Sequence, residues 1–186
     1  MSRIAVLITD MFEDVEYTEP AEAFRETGHD LVHVGLSAGG ETVHGKADQT
    51  PVTIDRSVSD VSPDDFDALF IPGGYSPDKL RAHEAPVEFV RRFVESAKPV
   101  LSICHAPPQL MITAQVLRGR KIAGWKSVAQ DIRNAGAEYV DREVVVDGNI
   151  VSSRQPDDIP AFIRASLAKL EEASGQEARA AAAGQR

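Results

Sequence analysis

The stretch KPVLSICHAPPQL (98–110) holds the only cysteine of the chain, Cys104, between an apolar run and two prolines. A buried strand that turns at once into a helix is the layout of a nucleophile elbow, which turns a side chain out of the sheet. Unpaired N–H groups at the start of the helix favour a thiolate there. We therefore expect a reactive Cys104 thiol with a pKa below that of a free thiol, about 8.5. The alternative is an inert core cysteine.

The residue after the cysteine, His105, could act as the base for the thiol or as a donor to a substrate. Adjacent residues on a regular helix do not face each other, but at an elbow they can. No histidine follows His105 in the chain, which excludes a Cys–His pair whose base lies far downstream. We expect surface or core roles for the other histidines, which are His29, His33, His44 and His83.

Four carboxylates crowd the segment after the first apolar run: Glu13, Asp14, Glu16 and Glu19. Solvated carboxylates at a helix start are one interpretation, because they interact favourably with the helix dipole. Glu16 is the functional candidate. Beside a thiolate, desolvation and like charge would raise the pKa of Glu16, and the protonated acid could donate to the sulfur or shuttle a proton. The sequence leaves both interpretations open.

A glycine pair, Gly73-Gly74, ends another apolar run in the segment PGGYSPDKLR (72–81). Glycine allows close approach of backbone to a ligand, so this pair, with the N–H of His105, could form an oxyanion hole. A plain turn is equally compatible with the pattern. The first strand is not followed by G-x-G-x-x-G, and no Walker sequence is present, which disfavours nucleotide binding.

Short apolar runs alternate with segments of helical spacing along most of the chain. This pattern predicts a doubly wound α/β/α sandwich with a mainly parallel central sheet, flavodoxin-like in layout. Sites in such folds gather beyond the carboxyl ends of the strands, where the acidic cluster, the glycine pair and the cysteine would meet. The predicted strands are residues 3–9, 31–36, 66–74, 99–103 and two strands within 138–154 around Asp147-Gly148-Asn149, with a hairpin-like excursion at 37–55.

Two features concern the boundaries of the helices and of the domain. Pro20 interrupts the first helical segment, which predicts that the helix starts near Thr18 or bends at the proline. We expect a single domain over residues 1–172. The remaining segment, 173–186, is small, polar and rich in alanine, and we expect it to be a flexible tail.

Composition restricts the classes of function. Of the 186 residues 42% are hydrophobic, and no apolar run approaches the length that a membrane helix needs. The net charge of −9 disfavours nucleic-acid binding. The short N-terminal apolar run meets an acidic cluster, which does not fit a signal peptide, so we expect a cytoplasmic protein without membrane partners. One cysteine excludes an intrachain disulfide and a multi-cysteine metal cage, and we expect neither metal nor cofactor.

Five separated motifs carry a family resemblance that covers about residues 2–170. They are DMFEDVEYTEP, FDALFIPGGYSPDKLR, KPVLSICHAPPQL, RGRK and VVVDGNIVSSRQPDD. Together and in this order they resemble the PfpI-type intracellular peptidases. These belong to the larger superfamily of parkinsonism-protein-like deglycases and stress proteins with the class I glutamine-amidotransferase-like fold.

The resemblance implies a role for each matching residue. It makes Cys104 the nucleophile, Glu16 the buried acid that touches it, and His105 the base. It places Asp78 at the position whose carboxylate orients the histidine from a neighbouring subunit, and it gives Gly74 a part in the oxyanion hole. A homodimer or a higher homo-oligomer would then complete the site.

The chain departs from the family pattern directly after the histidine. The family commonly has Cys-His-Gly-Pro, whereas this chain has Ala106 followed by Pro107-Pro108. A methyl group replaces a hydrogen close to the thiol, and alanine does not tolerate positive φ as glycine does. We therefore expect the elbow to be lengthened or re-aimed, with the largest effect on the position of His105.

Three functions are compatible with these residues. The first is a cysteine enzyme that acts on small aldehydes or glycated amines, as glyoxalases and deglycases do, with a role in stress. The second is a peptidase in which Cys104, His105 and Asp78 of a neighbouring subunit act on peptides or unfolded chains. The third is a redox sensor or holdase chaperone whose cysteine is oxidised. We rank the aldehyde chemistry first and the peptidase a close second.

Overall fold

The first apolar run of the sequence forms a central strand of the sheet. In the computed structural model, which describes residues 1–37 and 39–183, all of this strand except Arg3 is buried. The strands are β1 (Arg3–Leu7), β2 (Asp30–Gly35), β3 (Thr42–His44), β4 (Pro51–Thr53), β5 (Arg56–Ser57), β6 (Ala68–Ile71), β7 (Val100–Ile103), β8 (Lys121–Ile122), β9 (Glu138–Tyr139), β10 (Val144–Asp147) and β11 (Ile150–Ser153). The α-helices are α1 (Asp14–Glu26), α2 (Ser76–Leu80), α3 (Glu84–Glu95), α4 (Ala106–Thr113), α5 (Ala129–Asn134) and α6 (Ile159–Ala183).

Seven strands form the main sheet in the order β10-β11-β7-β6-β1-β2-β5. All neighbouring pairs are parallel except β10 and β11, which pair antiparallel across the predicted turn at 147–149. The predicted excursion at residues 37–55 contains a small antiparallel hairpin, in which β3 pairs with β4. The predicted α/β fold with a mainly parallel central sheet is therefore confirmed.

The sheet is covered on both faces, because successive side chains of a strand point to opposite sides. Ala5 and Leu7 belong to the core that includes side chains of α3 and α4. Ile4 and Val6 belong to the core that includes side chains of α1 and α6. Burying a large apolar side chain contributes roughly 1.5–3 kcal/mol, so the two cores fix the register of β1 and the position of the loop that follows it.

Helix α1 begins at Asp14, four residues before the predicted start near Thr18, and Pro20 lies inside it. The predicted helix start near Thr18 is therefore wrong. Proline removes one backbone hydrogen bond, but the apolar face of α1 packs into the core through residues such as Phe24, and packing outweighs the local cost. As a result Glu16 lies in the first turn of a helix and has a fixed direction.

The last helix extends further than the sequence predicted. Helix α6 continues to Ala183, whereas we expected a flexible tail from residue 173. Alanine, glutamate, arginine and glutamine are good helix formers, so a helix nucleated by packing continues through them. Residues 184–186 of the predicted tail lie outside the described residues. In the part of the chain that the structure describes, no helix has the length and apolarity needed to span a bilayer.

Candidate active site

Cys104 lies at the predicted elbow, between the end of β7 and the start of α4. Its φ is +83°, in the left-handed region that side chains with a Cβ seldom adopt. Hydrogen bonds hold this backbone on both sides. The N–H of Cys104 donates to the carbonyl of Ser153 (3.1 Å), and its carbonyl accepts the N–H of Trp125 (3.2 Å). The neighbouring segments thus maintain a conformation that turns the thiol out of the sheet.

Ala106 is compatible with the elbow, contrary to the expectation raised by the missing glycine. The left-handed residue is Cys104, and Ala106 is the first residue of α4. Pro107 follows in the first turn, where a missing N–H leaves no helical hydrogen bond unmade. Helix α4 therefore begins directly after His105, with Ala106 as its first residue.

Glu16 is completely buried beside the thiol. Its side chain is 0% exposed, and neither carboxyl oxygen makes a hydrogen bond of normal geometry within the described residues. Burial, and next the negative charge of Glu13, raises the pKa of Glu16 to about 8, although its interaction with the Cys104 thiol opposes this rise. Glu16 therefore carries its proton at neutral pH and can donate it to the sulfur or to a bound oxygen.

The glycine pair lies between these two groups. A Cβ on Gly73 would collide with Oε2 of Glu16 and would lie 2.6 Å from Cβ of Cys104. Gly74 has a φ of +79°, and a Cβ there would collide with the backbone of the loop after β1. The backbone N–H of Gly74 interacts with the sulfur and lowers the pKa of Cys104. Residue 73 must be glycine because the Glu16 carboxyl lies against its Cα. Residue 74 must be glycine because its φ is positive.

The thiol is less acidic than the sequence predicted. Burial, and next the negative charge of Glu16, raises the pKa of Cys104 to about 12, while the N–H groups of His105 and Gly74 lower it. The predicted acidity of Cys104 depended on the start of helix α4, whereas burial of the thiol has the larger effect. Glu16 is protonated at neutral pH and therefore carries no charge there. When the thiol of Cys104 loses its proton at that pH, it does so beside a neutral carboxyl group. In that state the protonated carboxyl is able to donate to a thiolate, which would stabilise the sulfur.

His105 is in direct contact with the thiol. Its Nδ1 lies 3.4 Å from Sγ of Cys104, and its ring packs edge-on against the ring of Tyr75 at 5.8 Å between centroids. Burial, and next the positive charge of Lys46, lowers the pKa of His105. The imidazole is therefore neutral at physiological pH and can accept a proton.

Asp78 lies in α2 and is paired within its own chain. Its Oδ1 accepts a hydrogen bond from Nε of Arg81 (2.8 Å) and lies 2.7 Å from Nη2 of the same guanidinium in an ion pair. Within one chain no hydrogen bond joins the described side chains of Asp78 and His105. The negative charge of Asp78 nevertheless raises the pKa of His105, whose ring packs against Tyr75, the residue that precedes α2.

The thiol opens into a cleft of about 280 Å³. Its described lining residues are Glu13, Glu16, Lys46, Cys104, His105, Trp125, Gln155 and Pro156. A larger cavity of about 420 Å³ near the amino ends of β7 and β11 has neither a thiol nor an imidazole among its described lining residues. The reactive groups therefore select the smaller cleft as the candidate site.

Four lining residues were not predicted as site residues from the sequence: Lys46, Trp125, Gln155 and Pro156. Gln155 follows β11, so the rule that sites gather after parallel strands would have found it. Lys46 and Trp125 lie in loops without a regular pattern, and nothing in the sequence signalled them. Within residues 1–37 and 39–183, no group of three or more His, Cys, Asp and Glu side chains is placed to hold a metal ion.

Three proteins of known sequence are similar to this chain over nearly its whole length. The chain is 53% identical over 169 residues to "Protein/nucleic acid deglycase 2" of Escherichia coli (strain K12), covering 90% of this chain and 97% of that one. It is 54% identical over 165 residues to "Putative cysteine protease YraA" of Bacillus subtilis (strain 168), covering 89% and 96%. It is 54% identical over 170 residues to "General stress protein 18" of the same organism, covering 91% and 98%.

A solved structure shares the fold. A two-domain protein from Anabaena variabilis, with DJ-1/ThiJ/PfpI-like and ferritin-like domains, superposes with a TM-score of 0.88 and 35% identity. The match covers 92% of this chain and 48% of that one, so this chain spans about half of the two-domain protein. The model of the DJ-1/PfpI family matches residues 2–169. The chain, with an acid and an imidazole beside its single thiol, belongs to the DJ-1/PfpI family.

Proposed function

We propose that the protein is a cysteine-dependent stress-response enzyme that acts on reactive aldehydes or glycated amines, in the manner of a glyoxalase or deglycase. Cys104 is the nucleophile, Glu16 the proton donor and His105 the base. The observation that carries the proposal is the fully buried Glu16, which has no hydrogen-bond partner of normal geometry in the described chain and interacts with the Cys104 thiol. A protonated acid beside a thiol suits addition to a carbonyl, because the oxygen that gains charge needs a proton.

The first step is addition. The thiolate of Cys104 attacks the aldehyde carbon of methylglyoxal, the C–S bond forms, and the π pair of the carbonyl moves to oxygen. Glu16 gives that oxygen its proton, which produces a hemithioacetal. With a glycated amine, the same attack on the aminocarbinol carbon breaks the C–N bond, and the amine leaves with a proton. Both substrates therefore converge on one intermediate.

The second step is an internal redox shift followed by hydrolysis. His105 removes the proton from the carbon bonded to sulfur, and a proton is returned to the neighbouring carbon as its ketone becomes an alcohol. One carbon is oxidised and its neighbour reduced, so no external oxidant is needed. Water then cleaves the C–S bond of the resulting thioester, releasing a hydroxy acid and regenerating the thiolate.

The proposal includes a homo-oligomer in which Asp78 of the partner subunit orients His105. Asp78 is about half exposed, and within its own chain its charge acts on His105 without a hydrogen bond between them. A second subunit placed over this region would bring another carboxylate to the imidazole. An isologous interface would form two equivalent sites together.

A peptidase is the second candidate. The 3.4 Å contact between Sγ of Cys104 and Nδ1 of His105 is the pairing that a cysteine peptidase needs. A cleft of about 280 Å³ would restrict that activity to a few residues of an extended peptide. The relative named for a cysteine protease supports this candidate, and the relative named for a deglycase supports the first.

The deciding experiment measures lactate formed from methylglyoxal by the wild type, Cys104→Ala and Glu16→Gln. We expect Cys104→Ala to lose at least ~100-fold and Glu16→Gln at least ~10-fold, because both act on the reacting atoms. Equal lactate from the wild type and Cys104→Ala would overturn the proposal.

Two parallel assays distinguish the alternatives. Casein hydrolysis that disappears in Cys104→Ala, with no lactate from the wild type, would establish the peptidase instead. Suppression of aggregation that survives Cys104→Ala, without either activity, would establish a holdase.

A further inference from the structure

Lys46 contributes the only formal positive charge among the described side chains that line the cleft. Its Nζ lies 2.6 Å from Oε2 of Glu13 and 5.5 Å from the centroid of the Tyr75 ring. About a third of the side chain (31%) is exposed. Lys46 and Cys104 line the same cleft, so the ammonium can contact a ligand whose carbon is attacked by the thiol.

The loop that carries Lys46 is held in place by a buried carboxylate. Asp14 is 2% exposed and accepts the backbone N–H groups of Ala47 (3.0 Å), Asp48 (3.2 Å) and Thr50 (3.0 Å). A Cβ on Gly45 would collide with this carboxylate, so the loop packs directly on it. Three N–H groups on one carboxylate fix the whole loop, and the direction of the lysine with it.

The ammonium is only partly satisfied. It has three donors, and Glu13 accepts from one of them. No second acceptor bonds to it within residues 1–37 and 39–183. The hydrogen bond that Lys46 donates to Glu13 is the first cause that raises the pKa of Lys46, so the ammonium is charged at neutral pH. Lys46, Cys104 and His105 line the same cleft. Consistent with this, the charge of Lys46 lowers the pKa of His105, and the charge of Cys104 raises the pKa of Lys46.

We propose that Lys46 binds the carboxylate of a small carbonyl ligand while Cys104 engages its carbonyl or thioester carbon. This inference rests on the proposed function and names its ligand class, which is small oxo compounds that carry a carboxylate or become hydroxy acids in the cleft. The product carboxylate forms at the carbon bonded to sulfur, and the nearby ammonium neutralises it before release. Lys46 is thus a specificity-determining residue, and Asp14 positions it.

The test uses alkylation of Cys104, which needs no turnover. Iodoacetate is anionic and iodoacetamide is neutral, yet both attack the same sulfur, so the ratio of their rates cancels any change in thiolate content. We expect Lys46→Met to lower the iodoacetate/iodoacetamide ratio about fivefold and Lys46→Arg to retain it within about twofold, as expected for loss of one nearby charge. Lys121→Met, with the same charge change on β8, is the control and should leave the ratio unchanged.

A double variant separates direct binding from exposure of Glu13. If Lys46 bonds the carboxylate, Lys46→Met/Glu13→Gln stays at least about threefold below the wild-type ratio. If the ratio returns to the wild-type value, Lys46 merely masks Glu13 and the inference is overturned. An unchanged ratio in Lys46→Met overturns it as well. Methylglyoxal turnover is measured separately, so failure of the proposed reaction and failure of carboxylate binding give different results.

Discussion

Gly73 lies so close to the Glu16 carboxyl that a Cβ at residue 73 would collide with Oε2. The same Cβ would lie 2.6 Å from Cβ of Cys104. The strand that ends at the glycine pair therefore lies directly against both the acid and the nucleophile. The absence of a side chain at residue 73 is thus what leaves room for the acid and the nucleophile to lie side by side.

Gly73→Ala is expected to separate the acid from the thiol. Because the added methyl meets a buried carboxyl and rigid backbone, the free energy of unfolding should fall by about 1–3 kcal/mol. Lactate formation should fall by at least ~10-fold. Gly175→Ala is the matched control. It lies in α6 with open space around it, so it should stabilise the helix by up to about 1 kcal/mol. Full activity in Gly73→Ala would contradict the close packing.

Glu16→Gln is expected to stabilise the protein increasingly as the pH rises. Burial raises the pKa of Glu16 from an ordinary 4.5 to about 8. The unfolded chain ionises above pH 4.5 while the folded protein keeps its proton, so the wild type loses stability from about pH 4.5 until about pH 8. The variant has no such loss, and the gap should grow to about 4 kcal/mol by pH 8.

Denaturant unfolding at several pH values measures this gap. The control is Glu19→Gln, an exposed carboxyl on the same helix, whose difference from the wild type should stay small at every pH. A constant difference between Glu16→Gln and the wild type from pH 5 to pH 8 would show that Glu16 is ionised in the folded protein.

Asp14→Asn should release the loop that carries Lys46. Burial raises the pKa of Asp14, but hydrogen bonds from Thr50, Ala47 and Asp48 outweigh it and lower the pKa from 3.8 to about 2. The charged form therefore stabilises the fold above pH 3.8, and this contribution is lost as the pH falls toward 2. At neutral pH we expect a loss of about 1–3 kcal/mol, measured by urea unfolding.

An exposed carboxylate in the same loop provides the control for that change. Asp48→Asn alters the same net charge without removing the acceptor of the three N–H groups, so its stability should match the wild type. If both variants lose the same stability, the hydrogen bonds to Asp14 do not hold the loop.

Asp78→Asn tests the proposed orientation of the imidazole. Its charge raises the pKa of His105, so its removal should shift the acid limb of the pH–rate profile to lower pH. We also expect kcat/KM to fall about tenfold. Light scattering should show that the oligomer is still intact. Asp64→Asn, an exposed carboxylate on the loop before β6, should have no effect. An unchanged rate and profile in an intact oligomer would refute the role of Asp78.

Most of the site could be predicted from one rule, which is that sites of parallel sheets lie beyond the carboxyl ends of the strands. Cys104, Glu16 and Gly73 each lie just beyond a strand, and the carboxyl ends of β7, β1 and β6 meet at one edge of the sheet. The start of α1 was missed because the local cost of Pro20 is visible in the sequence, whereas the core packing that outweighs it is not.

The remaining part of the site depends on contacts between distant residues. Lys46 reaches the cleft because Asp14 binds a loop 33 to 36 residues further along the chain. No local pattern encodes that contact. The direction of the pKa shift of Cys104 was also wrong, because its first cause is burial. The N–H groups of His105 and Gly74 act in the opposite direction and have the smaller effect.

The left-handed backbone of Cys104, with φ at +83°, has a consequence for the evolution of the protein. Every copy carries a standing conformational cost of about 1–2 kcal/mol, which a glycine at that position would remove. A lineage that no longer uses the thiol would gain stability by drifting to glycine there. Natural variation at this single codon would therefore report whether the chemistry is still under selection.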